Sequence, residues 1–187
     1  MSVPEREAKW QQRWDAARLF EAEPDPGHEK YFVTFPYPYV NGYPHLGHGF
    51  TLLRAEMMAR YQRMRGRNVL WPFAFHCTGT PIAAAAQRVA EREPGQLRAL
   101  EQMGITGALA ESLAEPQAWF EHFPERFQQD LQSLGLAVDW RRSFITTDQN
   151  PAYDAFIRWQ FNRLRAGDYL RKGSFPVVWC PARETVV

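Results

Sequence analysis

Twice in its first hundred residues the chain runs from a short apolar stretch through a loop rich in glycine and proline into a helical pattern. That order constrains the fold more than any other feature. Residues 31–35, Tyr-Phe-Val-Thr-Phe, form a continuous apolar run, as expected of a strand buried on both faces inside a parallel sheet. A loop follows from Pro36 to Pro44. From Leu46 the pattern turns helical and continues to about Arg65, with Gly66 as its stop. A second strand is predicted over 68–73, then a loop around Gly79, Thr80 and Pro81, then an alanine-rich helix to about Glu93. Strand, loop and helix in this succession predict an α/β fold, a parallel sheet with right-handed crossover helices.

The flanking segments are read with the same rules. Residues 4–20 carry Trp10, Trp14 and Ala17 at helical spacing, with Pro4 suited to a first turn. Pro24, Pro26 and Gly27 break regular structure before the first strand. The stretch 94–118 reads as an irregular insertion. Helices are expected over 116–134 and 151–166, with short strands near 136–140 and 175–180.

Composition excludes several classes. With 45% hydrophobic and 14% aromatic residues, the 187-residue chain carries enough apolar surface to exclude wholesale disorder. Its 22 Lys+Arg against 21 Asp+Glu leave a net charge of +1, which excludes polyanion binding by charge alone. Cys77 and Cys180 are far apart and form no C-x-x-C pair, so reduced thiols are expected rather than a disulfide framework. The charged N-terminus is no signal peptide and no window approaches 18 apolar residues; a soluble, cytoplasmic protein away from membranes is expected.

The chemistry concentrates in residues 35–49, FPYPYVNGYPHLGHG. His45 and His48 are three apart at the start of a predicted helix, so both imidazoles share one face. A helix start adds unpaired N–H groups and a partial positive charge, which suit an anionic ligand. Gly47 removes a side chain between the histidines and lets a phosphate or flat ring reach the backbone; Asn41, Gly42 and Pro44 shape the turn out of the strand. Directly after a buried strand and opening a helix is where open α/β sheets bind nucleotides. An H-x-x-H pair alone is a weak signal that polar caps produce by chance, whereas H-x-G-H in a strand–loop–helix setting is much stronger. His45, His48, His76 and Cys77 lack a second close-spaced pair, so no metal ligands are assigned. Walker A and G-x-G-x-x-G loops are absent.

His-Leu-Gly-His resembles the H-I-G-H signature of class I aminoacyl-tRNA synthetases. The stretches YFVTFPYPYVNGYPHLGH, PFAFHCTGTPI, SLGLAVDWRRSFITTDQNP and RWQFNRLRAGDYLRKGSFPVVWCPARET are similar to leucyl-tRNA synthetases of the archaeal/eukaryotic type. The resemblance covers nearly the whole chain apart from 94–115. It implies the first half of a Rossmann catalytic domain over 31–174, incomplete on its own. A helix and linker would precede it over 1–30, and a connection towards an inserted editing domain would begin at 175–187. It further implies ATP-dependent activation of leucine to leucyl-adenylate and transfer to tRNA(Leu), with Mg²⁺ carried on the ATP and no protein ligands of its own. His45, Gly47, His48, Asn41 and Gly42 would then meet ATP, with His45 and His48 as catalytic donors. Phe35, Tyr37 and His76 would form the leucine site, His76 acting through its ring or its carbonyl. The family's lysine-bearing Lys-Met-Ser-Lys-Ser loop has no match here, and the only lysines are Lys9, Lys30 and Lys172. The resemblance therefore implies the N-terminal part of a longer polypeptide. A free-standing H-x-G-H nucleotidylyltransferase and a non-catalytic, nucleotide-binding paralogue are the alternatives.

Three further features carry competing readings. Arg60, Arg63, Arg65 and Arg67 suit either a nucleic-acid backbone or the helix dipole. Asp139-Trp140-Arg141-Arg142 reads as an intramolecular brace, and Trp159 and Phe161 as packing surfaces of the 151–166 helix. Half a parallel sheet leaves an unpaired edge and an uncovered apolar face, so the isolated chain is expected to be poorly stable or to aggregate.

Overall fold

The computed structural model describes residues 2–181 and 185–186. The first helix, α1 (Val3–Ala16), begins with a capping box: the Ser2 hydroxyl accepts from the Glu5 N–H, and the Glu5 carboxylate accepts from the Ser2 N–H at 2.6 Å. An irregular segment then leads to β1 (Lys30–Phe32), followed by α2 (Leu46–Met64), β2 (Asn68–Leu70) and β3 (Ala74–Phe75). Four helices follow, α3 (Thr80–Ala90), α4 (Pro94–Gln102), α5 (Gly107–Ser112) and α6 (Pro116–Ser133). A 3-10 turn at Trp140–Arg142 leads to β4 (Phe144–Ile145) and α7 (Pro151–Ala166), and β5 (Trp179–Cys180) pairs antiparallel with β6 (Thr185–Val186).

The central sheet is parallel. β1 pairs with β2, Tyr31 opposite Val69, and β3 pairs with β4, Ala74 opposite Phe144. Because β2 and β3 belong to one extended stretch, residues 68–77 lie between the first strand and the 139–147 segment. On one side the Val33 N–H reaches Leu70 O at 2.9 Å and the His76 N–H reaches Pro38 O at 2.8 Å. On the other, the Asp139 N–H reaches Trp71 O at 2.9 Å and the Thr146 N–H reaches Phe75 O at 3.2 Å. The predicted second strand is thus interrupted after Leu70 and resumes at Ala74, with Pro72, which has no N–H to donate, in the gap.

The period-2 alternation of the central stretch places Val69, Trp71, Phe73, Phe75 and Cys77 in the core. Against it α6 sets Trp119, Phe123, Phe127 and Leu131, four apart along one stripe and fully buried. Each such side chain contributes about 1.5–3 kcal/mol of burial.

Several expectations need correction. The first strand is not buried on both faces: Val33 is buried but Phe32 is 61% exposed and Thr34 is exposed, since only one face is covered by described residues. Residues 94–118 are not irregular; they hold α4 and α5 and put Leu100, Ile105 and Leu113 into the core. These helices are too short for their period to stand out, and Gly104 and Gly107, both at positive φ, interrupt it. The strand expected near 136–140 is extended chain and a 3-10 turn, with pairing displaced to β4; of 175–180 only the last two residues pair. The helix over 151–166 forms as read, but Trp159 and Phe161 are more than half exposed and pack on no core among the described residues. Part of the 175–187 segment lies outside the described residues.

Candidate active site

Every residue proposed to contact a ligand lies at the carboxyl end of the parallel strands. His45 is the N-cap of α2, with extended backbone, and its side chain accepts the Gly47 N–H at 3.0 Å through Nδ1. His48, at the third helical position, reaches back and accepts the His45 N–H at 3.2 Å, again through Nδ1. This is a capping box built from two imidazoles instead of the usual hydroxyl and carboxylate. The ring centroids stand 4.0 Å apart.

The capping pattern sets the tautomer. An Nδ1 that accepts a hydrogen bond carries no proton, so each neutral ring bears its hydrogen on Nε2. The helix start therefore presents two Nε2–H donors beside its own first-turn N–H groups. Burial, and next the neighbouring His45, hold the His48 imidazole below its ordinary value of 6.5 and keep it in that donor form at neutral pH. The ring rests edge to face on Phe127 of α6, centroids 5.3 Å apart. His45 is exposed and His48 half-buried.

Gly47 has a steric reason beyond the one its sequence position suggests. A Cβ there would lie 2.8 Å from His45 Cε1, so the cap closes only over a glycine. At Gly42 a Cβ would meet Met103 Sδ at an ordinary 3.6 Å, so space does not demand glycine there. Asn41 is exposed beside it.

Phe35 and Tyr37 come together, rings edge to face at 5.9 Å. Both pack on the fully buried Phe73, and Tyr37 also meets Phe144, which stacks on Tyr153 of α7. His76 stands slightly apart. Its ring stacks on Tyr39 at 4.2 Å, and its backbone bridges to the same loop. A chain of aromatic contacts, Tyr37–Phe73–Phe75–Phe127–His48, links the predicted amino-acid site to the histidine pair. The contacts made by Tyr39, Tyr43, His122, Phe127, Phe144 and Tyr153 around these residues were not legible in the sequence. Lone aromatics and an isolated histidine carry no spacing signal, and the contacts that matter span up to 79 residues. The cleft of about 360 Å³ between α1 and the 132–141 segment includes neither His45 nor His48.

Three of the four clustered arginines, Arg60, Arg63 and Arg67, are committed elsewhere. Arg63 donates to the carbonyls of Ala137 at 2.9 Å and of Phe20 and Val69 at 3.4 Å, and burial pushes its guanidinium down to about 10, still charged near neutrality. Arg60 pairs with the buried Glu56 and donates to Gly135 O at 2.7 Å; Arg67 bonds Glu29 and Gln62. The brace at Asp139 forms as read. Burial alone would raise this carboxyl, but bonds from Arg141 and the Ala22 N–H, with the Arg141 and Arg142 charges, hold it below the ordinary range.

Residues 9–187 match the family of tRNA synthetases class I (I, L, M and V). The chain belongs to that family. Among curated relatives, this class I synthetase chain is 52% identical over 181 residues to the leucine--tRNA ligase of Aeropyrum pernix, covering 97% of the chain and 19% of that protein. It is 46% identical over 187 residues to the leucine--tRNA ligase of Methanothrix thermoacetophila, covering 100% of the chain and again 19% of that protein. Among solved structures it resembles the LeuRS–tRNA–LeuAMS ternary complex of Agrobacterium radiobacter K84, with a TM-score of 0.71 at 25% identity, over 97% of the chain and 20% of that protein. The chain thus spans about a fifth of the length of the relatives it matches. Its parallel strands and flanking helices agree with a class I catalytic fold. No described helix is long and apolar enough to cross a membrane.

Proposed function

We propose that this chain supplies the H-x-G-H half of the active site of a leucine--tRNA ligase, which activates leucine with ATP and transfers it to tRNA(Leu) in the cytoplasm. The observation that carries this reading is the mutual capping of His45 and His48, which turns two Nε2–H donors outward at the start of α2. In the first step a leucine carboxylate oxygen attacks the α-phosphorus, and the bond to the leaving pyrophosphate breaks. Catalysis of such a displacement comes from positioning and from stabilising spread negative charge. Donors at a helix start suit that task. Mg²⁺ belongs to the substrate, as MgATP; the two imidazoles, whose Nδ1 atoms are occupied by backbone N–H groups, act as hydrogen-bond donors rather than metal ligands. In the second step a ribose hydroxyl of the tRNA terminus attacks the leucyl carbonyl and AMP leaves.

Phe35 and Tyr37, packed on Phe73 and Phe144, would line the apolar end of the leucine site, with His76 as its polar member. Asn41, Gly42 and Gly47 would border the nucleotide. The layout that goes with this reading is a helix and linker over 1–30, the first half of a Rossmann domain over 31–174, and the approach to an editing insertion over 175–187. The test is amino-acid-dependent ATP–pyrophosphate exchange by the native-length protein with leucine, isoleucine, valine and methionine in turn. Leucine supports the fastest exchange. Equal or faster exchange with another of the four would replace the substrate, and no exchange with any would remove the activity.

A further inference from the structure

We propose that His122 and Tyr43 form a latch that positions the histidine pair, with α6 rather than the loop itself setting where the phosphate donors stand. This rests on the reading of His45 and His48 as donors to the triphosphate. The loop carrying the pair would otherwise depend on its own turn chemistry, since residues 36–44 have little regular structure. Instead the Tyr43 hydroxyl stands 3.0 Å from His122 Nε2, across 79 residues of chain, and both side chains are part-buried. The same tyrosine ring meets Phe123 edge to face at 5.3 Å, with the Arg126 guanidinium 6.0 Å above it. One turn further along α6, Phe127 supports the His48 ring. Successive turns of one helix, anchored by its buried stripe, therefore hold the residue two before His45 and the residue three after it.

A latch made of one neutral hydrogen bond and aromatic contacts has a bounded effect. Its loss is expected to lower kcat for exchange by about three- to tenfold, the span of a typical hydrogen bond. KM for leucine should be unchanged, because Phe35 and Tyr37 rest on Phe73, not on α6. Tyr43→Phe keeps the ring and removes only the hydroxyl; His122→Phe keeps bulk and removes the partner. His122→Gln offers both a donor and an acceptor and should restore the rate.

The experiment is a double-mutant cycle in the native-length protein: Tyr43→Phe, His122→Phe, both together, and His122→Gln. It is read by exchange kinetics and by hydrogen–deuterium exchange of a peptide spanning residues 40–50. The latch predicts similar losses in kcat for each single variant, a double variant no worse than either, rescue by glutamine, and faster deuterium uptake in the peptide. Additive losses, a rise in KM for leucine with kcat intact, or unchanged deuterium uptake in Tyr43→Phe would overturn it. His48→Ala runs beside the cycle. Full activity in that variant sinks the role given to the histidines, whereas deuterium uptake around residues 40–50 still decides the latch.

Discussion

The two ends of α2 carry similar sequence signals and do opposite things. At the N-terminus two histidines cap the helix with one nitrogen each and keep the other free to donate. At the C-terminus arginines spend their donors inside the molecule: Arg60 on Glu56 and Gly135 O, Arg63 on three carbonyls, Arg67 on Glu29 and Gln62. A cluster of basic residues can offer a ligand only those donors that remain after the backbone has been satisfied. Counting charges would have favoured the C-terminal end, where Arg60, Arg63 and Arg67 are already engaged.

The contrast gives an ordered set of predictions. The largest effect belongs to the free end. His48→Ala in the native-length protein should cost about 2.7–4 kcal/mol of transition-state stabilisation, about 10²–10³ in leucine-dependent exchange. Near wild-type exchange would contradict its role. Next comes the committed end. Arg63→Ala removes charge-assisted bonds to buried carbonyls and should lower stability by about 2–3 kcal/mol, read by denaturant unfolding. The salt dependence of tRNA affinity should not change with it, and a shallower slope would return Arg63 to the nucleic-acid surface.

A smaller effect follows from the protonation of His48. Its folded value is depressed below 6.5, so below that pH the unfolded chain binds more protons than the folded one, and stability is lost as pH falls. Protonated Nδ1 cannot accept the His45 N–H, so kcat/KM for ATP should fall on the acid side with a midpoint below 6.5. A midpoint at or above it would mean that the ring is not held neutral by its surroundings. The smallest effect is reserved for Arg65, an exposed residue whose recorded side-chain bond goes to the Tyr61 hydroxyl at 3.3 Å. Arg65→Ala should change stability by less than about 0.5 kcal/mol. A loss comparable to that of Arg63→Ala would erase the distinction between them.

The limits of α2 were legible because both signals are local: a loop ending in His45 and a stop at Gly66, which takes positive φ. The same holds for α6, whose Trp119, Phe123, Phe127 and Leu131 repeat every four residues. The histidine pair stood out not by its spacing alone but by that spacing, with Gly47 between, at the junction of a loop and a helix after a strand. The strands were harder, since a run such as 31–35 looks the same whether one face or two will be covered. Among the arginines, sequence shows charge but not the carbonyls that consume it, which arrive from residues 20, 69, 135 and 137. The contact between Tyr43 and His122 belongs to the same class. Nothing local in either segment announces the other.

α2 has one more consequence, mechanical in kind. Its N-terminal end rests on α6 through Phe127, and its far end is fastened by Arg60 and Arg63 to Gly135 and Ala137, in the segment leaving α6. His48 and Arg60 are twelve residues apart, about 18 Å along the axis. A rod fixed at two points that far apart has a long baseline: a slip of about 0.5 Å at one fixing turns it by less than about two degrees. The aim of the two imidazoles is thus borrowed from a span of rigid helix, well beyond the loop that carries them.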